Sequence, residues 1–473
     1  MKRGLYILVF ILTFFEAVAQ ERFVAEQPFY SKLLSKDLPY ALILPKAYDK
    51  EVQRSYPVIY LTHGLGCTPN DWNDKYIQVE NTINQLERKG LGDFIYIFPT
   101  GFNSYYSNTY DGTFPYMDMF IYEFVPFIDK KYRTIANKER RAILGFSMGG
   151  FGAMILALKN PDVFSISAPL SMSFRTDEQY MAEPLKWWNG QWGFIFGGIN
   201  KDGEERLTDY YKSHSPFYQF TAENHSEVSK VNWFLHCGDD EEQLLIANDN
   251  LHVLMRDNKI KHEYRVEDGG HTGRYWRKSL MEVLPYIEFT MNGGQDWSLA
   301  LKEVENLEHK SKQNENAVIY LAYAGLKQSL VKEIVSIIKK DNESLTVIPC
   351  NTKIRTLSSL IRKVERKSSF TDSQVIALGL AGQQAYALRD KFSRLYFDNA
   401  FIADDVTLIE ANVDKFWYIS QTDDGQYYKD MGSLYKACKK SNAEFQYRVR
   451  NGISDTKQDI LLGIETLINY IYY

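Results

Sequence analysis

The run Arg141-Ala142-Ile143-Leu144-Gly145-Phe146-Ser147-Met148-Gly149-Gly150 ends an apolar stretch abruptly in G-x-S-x-G-G, with small residues on both sides of one serine. A serine hydroxyl is a poor nucleophile. It must sit on a sharp strand-to-helix turn where a base can reach it, and glycine permits the backbone such a turn requires. Ile143-Leu144 reads as the end of a buried strand, and Phe151 to Leu158 (FGAMILAL) reads as the helix packed on it. The spacing therefore points to a nucleophile elbow and to acyl transfer through Ser147.

That chemistry also needs a base, a group to orient the base, and N–H donors for a developing oxyanion. Hydrolases built on this elbow order their triad along the chain as nucleophile, acid, histidine. Of the eight histidines, His271 fits that order, in Asp268-Gly269-Gly270-His271-Thr272 after the strand-like His262 to Val266. The acid is expected on the loop after the preceding strand, where Cys237-Gly238-Asp239-Asp240-Glu241-Glu242 offers four carboxylates. Such a run is ordinarily a solvated turn, and at most one of the four can hold the imidazole. Met148, the residue after the serine, offers one oxyanion N–H. His63-Gly64-Leu65-Gly66, directly after the strand-like Val58 to Leu61, offers the second through Leu65, with His63 read as structural. Cys67, Cys237, Cys350 and Cys438 show neither metal-ligand spacing nor a disulfide framework, and the sequence leaves paired and free thiols open. No metal or cofactor is expected.

The elements that must position these residues alternate. Phe23 to Pro45 suits an antiparallel edge hairpin. Val58–Leu61, Phe94–Phe98, Arg141–Leu144, Val163–Ala168 and Trp233–His236 suit strands, with helices at Tyr116–Asp129, Phe151–Leu158 and Asp249–Arg256. This is the pattern of an α/β fold with a mainly parallel sheet, in which function gathers at the carboxyl ends of the strands. Between the elbow and the acid, residues 172 to 220 form an insertion rich in aromatic residues. Trp187, Trp188 and Trp192 there are candidate substrate-binding faces for a sugar ring or an aryl acyl group, or else the insertion's own core.

Five motifs, in order, resemble those of the putative-esterase family of α/β-hydrolases: Tyr60 to Gly66; Phe98-Pro99-Thr100-Gly101 with Asn103-Ser104-Tyr105-Tyr106; Gly145 to Gly150; Cys237-Gly238-Asp239-Asp240; and Gly269-Gly270-His271. The family includes feruloyl and acetyl-xylan esterases, S-formylglutathione hydrolase and mycolyl-transferring antigens. The resemblance covers roughly residues 22 to 291. It implies Ser147 as nucleophile, His271 as base, and Leu65 and Met148 as oxyanion donors. The family's acid is usually an Asp three residues after the loop glycine, a place held here by Glu241, with Asp240 the alternative if one residue is inserted after it. The expected activity is a serine carboxylic-ester hydrolase that removes acetyl or feruloyl groups from carbohydrate. The partner is then a small-molecule or oligosaccharide ester. An acyltransferase of the same family, or a non-catalytic carbohydrate-binding tandem protein, is the alternative.

Composition narrows the classes. With 45% hydrophobic residues the chain is a folded protein, and a net charge of −5 gives no footprint for nucleic acid. Lys2-Arg3, an apolar run from Gly4 to Phe15 and Ala17-Val18-Ala19 have the anatomy of a secretory leader cut between Ala19 and Gln20, which implies a periplasmic or secreted protein. The run is shorter than the about 20 residues a bilayer needs, so no membrane span is expected in the mature chain. The domains expected are a leader over 1–19, the esterase-like domain over 20–292, a charged linker over 293–314, and a second α/β domain over 315–473. Val318-Ile319-Tyr320-Leu321 repeats Val58-Ile59-Tyr60-Leu61, Trp417 with Asp423-Asp424 echoes Trp233 with Asp239-Asp240, and Tyr447-Arg448-Val449 echoes Tyr264-Arg265-Val266. These echoes suggest a degenerate copy of the first domain, with Ala381 of Gly379-Leu380-Ala381-Gly382 in place of Ser147 and Ser454 in place of His271; the alternative is an unrelated Rossmann-like domain, since VIYL is what any buried parallel strand can spell. No triad can form within it, because no histidine follows His309.

Overall fold

The computed structural model describes residues 22–294 without a break. In the C-terminal part it describes 317–339, 345–353, 356–366, 372–400, 402, 415–422, 428–440, 445–450 and a few positions from 460 to 467. The expected leader, nearly all of the expected linker, Asp423-Asp424 and Ser454 lie outside the described residues.

The strands of the N-terminal half are β1 (Phe23–Gln27), β2 (Tyr30–Ser31), β3 (Lys36–Asp37), β4 (Tyr40–Ile43), β5 (Val58–Thr62), β6 (Ile95–Phe98), β7 (Arg141–Phe146), β8 (Ile166–Leu170), β9 (Asn232–Gly238) and β10 (His262–Glu267). Those of the C-terminal half are β11 (Ala317–Tyr323), β12 (Thr346–Asn351), β13 (Asp372–Leu378), β14 (Arg394–Asp398), β15 (Phe416–Thr422) and β16 (Phe445–Arg450). Apart from the small β2/β3 hairpin they make one sheet, in the order β1-β4-β6-β5-β7-β8-β9-β10-β16-β15-β14-β13-β11-β12. The chain therefore does not separate into two independent sheets. β10 and β16, the last strands of the two halves, pair antiparallel through Val266 and Val449 and fuse the halves edge to edge. That pairing satisfies backbone groups that an open edge would expose.

Within each half the order is the same: β6-β5-β7-β8-β9-β10 in one, β12-β11-β13-β14-β15-β16 in the other. Every neighbouring pair inside these two runs is parallel. Such strands carry helices on both faces and so read as continuous apolar runs rather than alternating ones. VIYLT of β5 and RAILGF of β7 are buried at every position. One apolar layer runs along one face through both halves, from Val58 and Ile143 to Val318 and Trp417. The opposite face carries a separate core for each half, around Ile59 and Leu284 in one and Ile319 and Ile464 in the other.

The helix after β7 spans Met148–Lys159 and is buried along nearly its whole length. It begins three residues earlier than the sequence pattern suggests, because the elbow's own glycines form its first turn. Among the described residues, no helix is long and apolar enough to cross a membrane.

Candidate active site

The strand-to-helix turn forces Ser147 into φ 58°, ψ −121°, a conformation a serine adopts only when its surroundings impose it. The Ser147 N–H donates to the Leu170 carbonyl at 3.0 Å, and the Ser147 carbonyl accepts from Ser173 N–H at 3.0 Å. Gly145 and Gly149 are required by proximity. A Cβ on Gly145 would lie 2.3 Å from the Gly149 carbonyl oxygen, and one on Gly149 would lie 2.1 Å from that of Thr62. The elbow can therefore seat against β5 only if both lack side chains.

Ser147 Oγ lies 2.8 Å from His271 Nε2, and His271 Nδ1 lies 2.8 Å from Glu241 Oε2. A carboxylate can only accept, so Nδ1 carries the proton and Nε2 is left to accept from the serine hydroxyl. Glu241 precedes the helix Glu242–Asp257, and its side chain is fully buried. Its other oxygen, Oε1, accepts from Gly238 N–H at 2.9 Å and from the Ser171 hydroxyl. Ser171 in turn accepts from Trp276 Nε1 at 2.8 Å. The Trp276 ring stacks on Phe146 and meets His271 edge-on, so one indole braces both acid and base. Asp240 is exposed and makes no such contact; its backbone N–H binds the Gly269 carbonyl instead.

The loop after β5 passes against the elbow: a Cβ on Gly64 would lie 2.8 Å from the Phe146 ring. His63 fixes this loop from beneath. Gly101 N–H donates to its Nε2 at 2.8 Å, so its Nδ1–H donates to the Gly64 carbonyl at 2.9 Å. Burial pushes its pKa down to about 4, and the ring stays neutral. The Tyr106 hydroxyl completes the anchor, accepting from His63 N–H at 2.7 Å and donating to the His63 carbonyl at 3.0 Å. Gly66 N–H is taken by Asn103 Oδ1 and Cys67 N–H by the Gly64 carbonyl. Leu65 lies between them and is exposed. Met148 opens its helix, where N–H groups have no intrahelical acceptor.

The tryptophans divide. Trp187 is 59% exposed, whereas Trp188 and Trp192 are buried. Trp188 donates to the Gly198 carbonyl, lies under the Arg206 guanidinium and meets Tyr180 edge-on. Trp192 stacks on Phe196 and packs against Tyr105. The expectation that all three face a substrate is corrected for these two, which form the core of the insertion. Sequence reasoning missed Ser171 and Trp276; their only signal is position, at the carboxyl end of β8 and one turn after His271. The four cysteines are free, with Cys67 half-buried and the others buried.

The ladders also correct the register of the second half. Val58 pairs with Arg141 and Val318 with Ser373, so superposing the two VIYL strands brings Gly379, not Ala381, onto Ser147. Gly379 follows β13 directly and has φ 54°, close to the 58° of Ser147, while Ala381 has an ordinary helical backbone. Trp233 and Trp417 are equivalent by the same counting, as are Tyr264 and Tyr447.

A sequence model of the family described as putative esterase matches residues 31–287. The chain belongs to that family. A 169-residue stretch is 30% identical to an endo-1,4-beta-xylanase/feruloyl esterase of Xylanibacter ruminicola, covering 34% of this chain and 23% of the relative. An acetyl esterase of Caldicellulosiruptor saccharolyticus is 24% identical over 270 residues, 55% of this chain and 96% of the relative. Of the solved structures, a ferulic acid esterase is 28% identical, with a TM-score of 0.46, covering 57% of this chain and 98% of its own. The chain spans about a quarter of the Xylanibacter relative and about half of an esterase of Mycobacterium tuberculosis that it also matches.

Proposed function

We propose that the protein is a serine carboxylic-ester hydrolase whose nucleophile is Ser147. The observation that carries the reading is the unbroken chain of contacts from Ser147 Oγ through His271 to Glu241, set on a strained elbow at the carboxyl ends of the strands. Ser147 Oγ attacks the ester carbonyl carbon while His271 Nε2 takes its proton. The resulting oxyanion is held by the N–H groups of Leu65 and Met148. Collapse expels the alcohol, which takes the proton from His271 and leaves an acyl-serine. Water attacks that ester, gives a proton to His271, and the serine leaves with it. Glu241 holds the imidazole in the productive tautomer and stabilises the imidazolium.

The substrate class we favour is an acetylated or feruloylated carbohydrate, because relatives that this chain matches are named as a feruloyl and an acetyl esterase. Exposed Trp187, on the insertion after the elbow, offers an aromatic face for a sugar or aryl group. The leader-like N-terminus supports export, where such polymers are met.

A panel of acetyl, feruloyl and longer-chain esters, assayed on the purified chain with and without prior fluorophosphonate treatment, tests the reading. Hydrolysis abolished by stoichiometric labelling of Ser147 is the expected result. A chain that neither labels nor hydrolyses any of them overturns it in favour of a binding role.

A further inference from the structure

The turn that carries Glu241 and the turn that carries His271 are tied together by Asp239, and Asp239 is tied to the other half of the molecule. Asp239 sits two residues before Glu241 and is buried. Its Oδ1 accepts from Gly269 N–H at 3.1 Å, two residues before His271. Its Oδ2 accepts from the Tyr447 N–H at 3.1 Å and from the Arg448 guanidinium, both on β16. Arg448 also reaches Asp268 Oδ1 at 3.3 Å, on the turn before His271. One cation from the C-terminal half therefore straddles both turns.

Burial works against the charge on Asp239 and raises its pKa, while Arg448 opposes that rise. A buried carboxylate without its cation protonates or draws in water, and either outcome changes what it can accept from Gly269 and Tyr447. Residues that hold reacting groups from a distance act through fractions of an ångström, and a displacement of about 1 Å can cost on the order of 10²-fold in rate.

We propose that Arg448 is a positioning residue for the esterase site, neutralising Asp239 so that the Glu241 and His271 turns are locked in register, and that the C-terminal half thereby serves the site in cis. This rests on Glu241 and His271 being acid and base. The half without a triad contributes the strand that keeps the other half's triad assembled. Single-domain relatives would have to hold these two turns by other means.

The test measures steady-state kinetics and thermal melting on the full chain. Arg448→Gln should lower kcat about 10- to 100-fold with KM changed less than about threefold. Adding Asp239→Asn, which removes the stranded charge while its single carbonyl oxygen still accepts from one of the two N–H groups, should recover part of the loss, raising kcat at least about threefold over Arg448→Gln alone. Trp417→Phe serves as the control, because it loosens the C-terminal core away from both turns and should lower the melting temperature without the loss in kcat. If Arg448→Gln alone does not fold, the double variant decides. A folded double variant with the kcat loss unrelieved overturns the proposal, as does an Arg448→Gln enzyme with wild-type kcat or a Trp417→Phe enzyme that loses kcat equally. If Ser147→Ala leaves hydrolysis intact, the function reading fails instead, and that result is independent of Arg448.

Discussion

The two halves of the sheet share six strands in one order and one register, yet they differ at the described turns where chemistry would occur. After β7 the N-terminal half places Ser147 and a twelve-residue buried helix; after β13 the C-terminal half places Gly379, a single 3₁₀ turn and the six-residue helix Gly382–Ala387. At the carboxyl ends of β8 and β9 the first half holds Ser171 and Glu241. In the second, Asp398 at the end of β14 takes the guanidinium of Arg450 on β16, with Ser420 of β15 beside it. That buried ion pair joins the ends of β14 and β16. A shared sheet is thus compatible with different turn chemistry, and at the described turns the difference lies in a few residues. We infer that the C-terminal half arose as a copy of the first and lost the site.

The sharpest way to break this contrast is Ser147→Ala. Loss of a triad nucleophile costs several powers of ten, leaving only what binding and the oxyanion donors supply. We expect kcat/KM for the best ester to fall by about 10⁴-fold or more, with melting temperature little changed, because alanine carries the same strained backbone. Retention of most of the rate would move the chemistry elsewhere, including to the C-terminal half.

Next in size is the acid. Glu241→Gln keeps the shape but cannot stabilise the imidazolium, and an amide in this place favours the wrong tautomer; the analogous change in a triad costs up to about 10⁴-fold. We expect a loss of 10²- to 10⁴-fold in kcat for Glu241→Gln and less than threefold for Asp240→Asn. A reversal of the two would show that the loop rearranges when substrate binds.

How much of this could be read from the sequence depends on whether a residue's role is written locally. The elbow was legible because a strained turn demands glycines at fixed offsets, and His271 because chain order restricts it. Glu241 was legible only to within one residue, since four adjacent carboxylates look alike until the fold buries one and exposes its neighbour. Ser171, Trp276 and the Asp239–Arg448 tie were not legible at all. They belong to no motif and meet only because distant strands are neighbours. Gly379-Leu380-Ala381-Gly382 misled by two residues, because its glycine spacing imitates the elbow while the left-handed backbone falls on the first glycine. The tryptophan cluster misled in another way: aromatic composition announces area to bury, not which face remains in water.

Acid stability separates the halves differently, because no histidine follows His309. Burial holds His63, His214 and His262 neutral, each with its pKa lowered to about 4. In the unfolded chain they titrate near 6.5, so between about pH 6.5 and 4 the unfolded state binds protons that the folded state does not. Their contribution is complete above pH 6.5 and is lost as pH falls toward 4. Each group costs at most about 1.4 kcal/mol per pH unit, so the three together remove several kcal/mol. Urea denaturation at pH 7, 5.5 and 4.5 should show the midpoint falling over that window. A flat profile would mean that these rings are charged in the folded protein.

The smallest effect probes the second half's equivalent turn. Gly379 has φ 54°, and a Cβ there would meet no atom within 4 Å, so a side chain meets only backbone strain. Left-handed backbone costs an L-residue about 1–2 kcal/mol, and Ser147 bears a similar φ in the first half. Gly379→Ser therefore places a serine at the equivalent turn for a loss of about 1–2 kcal/mol, seen as a melting temperature a few degrees lower. In a Ser147→Ala background it should restore no hydrolysis and take no fluorophosphonate label, because no histidine in its own half can accept its proton. Labelling at residue 379 would show that a base reaches this turn after all, and the contrast between the halves would then rest on one missing hydroxyl.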